Sequence, residues 1–71
     1  MAMYEFFYDL INQKKTVNII TINGFQIKCV ITRVHKLGSN SDGISAITVQ
    51  GDDGTNKHIM LHAISTIVEL H

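Results

Sequence analysis

The chain has 71 residues, and its six Lys and Arg balance six Asp and Glu, so it carries no net charge with histidines neutral. That length admits a single domain. The lone cysteine, Cys29, excludes an internal disulfide and a cysteine-rich zinc site. The neutral balance excludes the uniformly basic surface of a strong nonspecific nucleic-acid binder, whose affinity comes from neutralising phosphates.

A core of this size supplies only about 3–5 kcal/mol. A hydrophobic fraction of 45% with no proline therefore points to a chain that hides apolar surface against copies of itself. No apolar run reaches the ~18 residues of a membrane span, and no signal-peptide pattern opens the chain. The expectation is a cytoplasmic protein with no membrane contact.

In chain order, the spacing predicts a helix over 4–13. Tyr4, Phe7, Tyr8 and Ile11 fall at i, i+3, i+4 and i+7, and Phe6 and Leu10 widen the stripe. Lys14 and Lys15 follow, placing positive charge near the negative end of the helix dipole. From Thr16 the pattern is that of strands. Residues 17–22 are rich in β-branched side chains, and Asn23-Gly24 is a strong hairpin signal. A second strand is predicted over 26–34, with Ile27, Cys29 and Ile31 on one face and Lys28, Val30 and Thr32 on the other.

A polar loop with glycine at each end spans 38–43. A third strand follows over 44–50, a tight connection over 51–56, and strands over 57–61 and 65–69. His62-Ala63-Ile64 between the last two reads as a single helical turn. One helix and five short strands with no crossover helix imply an antiparallel, strongly bent, barrel-like sheet. In so small a sheet, unpaired edges act either as an association hazard or as an association device.

Three constellations carry little chemistry. His58 and His62 are four apart, a zinc-like spacing on a helix, but on a strand entering a turn they need not converge, and no cysteine lies nearby. No nucleophile-elbow glycine pattern and no ordered triad context accompany the Ser, His and Asp residues. Asp52-Asp53-Gly54 is what a tight turn needs, whether or not a cation visits. No metal, no cofactor and no enzyme activity are expected.

Two segments carry a resemblance: Val17 to Gln26, ending in Asn23-Gly24-Phe25-Gln26, and His62-Ala63-Ile64-Ser65-Thr66-Ile67. Together they resemble the bacterial Hfq family of Sm-like RNA-binding proteins, in the form common to Gram-positive members. The likeness extends from Phe6 to Val68, with extra length in the 38–43 and 51–56 loops. It implies an Sm-like fold and a homohexameric ring in which the fourth strand of one subunit pairs with the fifth of the next. It also implies an RNA chaperone for post-transcriptional regulation, helping small regulatory RNAs meet mRNA.

By that resemblance the A-rich-RNA face comprises Asn23, Gly24, Phe25, Gln26, Lys28 and Thr66. His62 and Ser65 match the U-rich pore, and Lys14 and Lys15 stand in for a basic rim. Departures accompany it, among them His35-Lys36-Leu37 where the family carries an aromatic residue, and Ile11 and Asn12 where it carries rim arginines. Ile20 stands where the family carries an aromatic residue, Leu61 where it carries the pore lysine, Met3 where it carries a glutamine, and Cys29 where it carries glycine. The expected outcome is a retained A-rich face with a weakened pore. The alternative is a ring-forming or subunit-mixing assembly protein that has lost RNA binding.

Overall fold

The computed structural model describes residues 3–38 and 43–70. The side chains of Met3 and Tyr4 and the middle of the 38–43 loop lie outside the described residues. Helix α1 (Met3–Gln13) is followed by strands β1 (Thr16–Thr21), β2 (Gln26–Lys36), β3 (Ile44–Gly51) and β4 (Asn56–Met60). A 3-10 turn (Leu61–Ala63) then leads into β5 (Ile64–Glu69).

The helix buries Phe7 and Leu10, with Ile11 packed partly against the same core. Phe6 and Tyr8 remain 40% and 41% exposed, so the buried stripe is narrower than the spacing predicts. The helix stops at Lys14, which takes a left-handed φ of 52°. Its N–H bonds the Ile11 carbonyl, and the Lys15 N–H bonds the Leu10 carbonyl, each at 3.1 Å. This pair of bonds is a Schellman cap, with lysine in the place that glycine usually takes.

All five strands form one antiparallel sheet in the order β4-β3-β2-β1-β5. Register places Val17 opposite Cys29, Ile31 opposite Val49, and Ile47 opposite Ile59. Side chains directly opposite one another share a face, so these residues form a single inner layer, which Phe7 and Leu10 join. The predicted alternation holds from Gln26 to Thr32, with Cys29 and Ile31 buried and Lys28 and Thr32 exposed, and breaks at Arg33, which is exposed as well. Strand β2 runs two residues beyond the predicted end, and its pairing with β3 shifts register twice, between Ile31 and Arg33 and between His35 and Lys36. Such bulges bend a strand and let it change direction without breaking the ladder. The sheet stays open: β4 and β5 stand at opposite edges, and among the described residues neither pairs with a further strand.

Two short connections are built alike. In the first, the Thr21 N–H bonds the Phe25 carbonyl and the Gly24 N–H bonds the Thr21 carbonyl. In the second, the Gly51 N–H bonds the Thr55 carbonyl and the Gly54 N–H bonds the Gly51 carbonyl. Gly24 (φ 91°) and Gly54 (φ 82°) take the left-handed position of a three-residue loop closed by a bulge. Asn23 stays at negative φ, so Asn23-Gly24 is not the two-residue turn that its dipeptide favours. No described helix is long and apolar enough to cross a membrane.

Candidate nucleic-acid interface

The outer face of the sheet, opposite the core, gathers most of the residues expected on the A-rich face. Ile20 pairs with Gln26 on one side and Thr66 on the other, so Gln26, Ile20 and Thr66 form one cross-strand row. Asn18 pairs with Lys28 and Val68 in the next row. Asn23, Gly24 and Phe25 form the turn that closes the end of these rows. Phe25 is 68% exposed and Ile22 beside it 69% exposed, giving an apolar tip.

Hydrogen bonds hold this surface in place. The Asn18 Nδ2 amide donates to Gln26 Oε1 at 3.0 Å, which orients the Gln26 amide and leaves its NH₂ group as the outward donor. Thr21 Oγ1 donates to Asn23 Oδ1 at 2.6 Å and accepts the Phe25 N–H at 3.1 Å. Asn23 is thereby engaged in shaping the turn as well as facing solvent. Asn18 joins this face by register alone, opposite Lys28 and hydrogen-bonded to Gln26. Its place in the Thr16, Asn18, Ile20 alternation was the available signal.

His62 and Ser65, the two residues matched to the pore, line different grooves. His62, exposed in the 3-10 turn, lines a groove of about 410 Å³ with Leu37, Ile44, Ser45, Met60 and Leu61. Ser65 and Thr66 line another of about 410 Å³ with Phe6, Phe7, Leu61, Ile64 and Ile67. Leu61 is shared by both and gives each an apolar wall where a lysine would have given charge. The turn carries no side-chain cap, and its exit is closed by the Ile64 N–H on the Leu61 carbonyl.

Lys14 lies beside a third groove of about 430 Å³, formed with Ile11, Val30, Ile31, Thr32 and Gln50, while Lys15 is half-buried. Cys29 is 1% exposed, and burial pushes its thiol pKa up. Its role is therefore packing on the inner face. Asp53 accepts the Thr55 N–H at 3.0 Å, and that bond holds its carboxyl below the usual range. Among the described residues no three His, Cys, Asp or Glu side chains converge on a metal-sized site. His58 faces His35 across the sheet, with ring centroids 4.7 Å apart.

No family model matches the chain, and no curated protein matches it.

Proposed function

We propose that the chain is a divergent, Hfq-like, Sm-fold RNA chaperone. It assembles into a homo-oligomeric ring in the cytoplasm and binds A-rich segments of mRNA and small RNA on its outer sheet face. The observation that carries this reading is the pair of adjoining rows, Gln26–Ile20–Thr66 and Lys28–Asn18–Val68, ending in the exposed Phe25. An exposed ring offers stacking worth about 1–3 kcal/mol per base. The amides of Gln26 and Asn18 supply base-edge donors and acceptors, and Lys28 supplies a phosphate contact. Ile20 sits at the centre of this surface, giving contact area without a π face. The strand order, with β4 and β5 at opposite edges, supports assembly through those edges. Leu61 in place of a pore lysine leaves the U-rich site weak.

The test is fluorescence anisotropy with labelled oligo-A and oligo-U over a range of salt. Oligo-A should bind more tightly than oligo-U. Phe25→Ala should weaken oligo-A about tenfold, and Ile20→Tyr should strengthen it by a similar factor. A second reading, a ring-forming assembly protein without RNA binding, draws on the neutral charge and on the apolar grooves around Leu61. Absence of binding to either oligomer at low salt would end the first reading and favour the second.

A further inference from the structure

The neutral total conceals a segregation of charge. Strands β2, β3 and β4 contain Lys28, Arg33, Lys36 and Lys57 together with His35 and His58, and not one Asp or Glu. The acidic side chains of the described residues lie instead on the helix, in the Gly51–Thr55 turn and on β5.

Beyond the first bulge of β2, the outer face holds a second group. Arg33 pairs with Thr48 and Thr48 with His58, forming one cross-strand row, and His35 pairs with Ala46 in the next. The His35 ring shares a 2.8 Å hydrogen bond with the Thr48 hydroxyl through Nε2, which fixes its orientation. The His58 ring lies on it at 4.7 Å with only 22° between planes. Among the described residues, neither the Arg33 guanidinium nor the His58 imidazole has a hydrogen-bond or ion-pair partner, and both are exposed.

We propose that this group is a second contact surface for single-stranded RNA, separate from the rows around Gln26. The outer flat side of His58 is a stacking platform for a base, held in place by the ring beneath it. Arg33, in the same row, takes a phosphate, because a guanidinium with no carboxylate partner is free for bidentate contact. Outer positions of β2 run from Gln26 through Lys28 and Val30 to Arg33 and His35, so the surface continues along the same strand. Stacking of this kind tolerates any base, and the surface is not selective for adenine.

Side-chain NMR on the labelled wild-type protein, titrated with a mixed-sequence single-stranded RNA, tests this directly. The His58 and His35 ring signals and the Arg33 guanidinium signal should shift along one saturating curve. His58→Ala should weaken binding about tenfold, His58→Phe should restore it, and Arg33→Gln should lower the salt slope by about 0.7. Shifts at Phe25 and Gln26 with none at His58 or Arg33 would overturn this proposal and leave the A-rich face standing. Shifts at His58 and Arg33 with none at Phe25 would support it and count against the A-rich face. Equal shifts from heparin, with His58→Ala binding RNA as well as the wild type, would show a polyanion surface without stacking and overturn it.

Discussion

Lys14 closes the helix at φ 52°, a conformation that costs an L-residue about 1 kcal/mol or more and costs glycine little. Lys14→Gly should therefore stabilise the chain by about 0.5–1 kcal/mol, read as a higher urea midpoint at unchanged slope. A lower midpoint would show that the lysine stem contributes packing that outweighs the backbone strain. The substitution separates helix capping from any rim contact with RNA, since only the second would change anisotropy. At this scale the sequence was partly legible. Phe25, Gln26 and Thr66 were marked as candidates by their motifs, but Asn18 was not, because its place on this face comes from the partner opposite it and not from its own neighbours. The same holds for His35 and His58, which lie far apart in sequence and meet only across β3.

Elements were more legible than contacts, because periodicity is local. The alternation around Cys29 predicts the buried face of β2, and the helix and all five strands fall within a few residues of their expected places. The misses have physical causes. Strand β2 continues to Lys36 because bulges absorb its bend, and Leu61 leaves β4 for the 3-10 turn. The Gly51–Thr55 turn also carries a pH dependence. Asp53 is held below the ordinary carboxylate value of 3.8 by the Thr55 N–H. A lowered folded-state pKa means stability that is present above the unfolded value and lost as pH falls through the folded one. Urea midpoints measured from about pH 5 down to pH 2 should fall less steeply in Asp53→Asn than in the wild type. Equal slopes would place the acid sensitivity elsewhere.

For the whole molecule, composition was the least informative guide, since a neutral sum says nothing about where the charges lie once the chain is folded. The free edges are the main feature at this scale. Met60 on β4 and Val68 on β5 are 45% and 42% exposed, and charge on an edge opposes further strand pairing. The double variant Met60→Lys, Val68→Lys should shift native mass spectra from an oligomer to a single chain. A persistent oligomer would show that association uses another surface. Because β4 and β5 are different strands, a contact between them joins unlike surfaces and gives the assembly a direction. Two copies cannot satisfy each other by a two-fold axis through that contact: each added copy leaves one fresh edge open. Growth ends only if the rotation between neighbours divides a full circle; otherwise it yields a fibre. In the proposed assembly, the angle between neighbours, set by the bend of the sheet and the tilt of its edges, is therefore what separates a closed ring from a fibre.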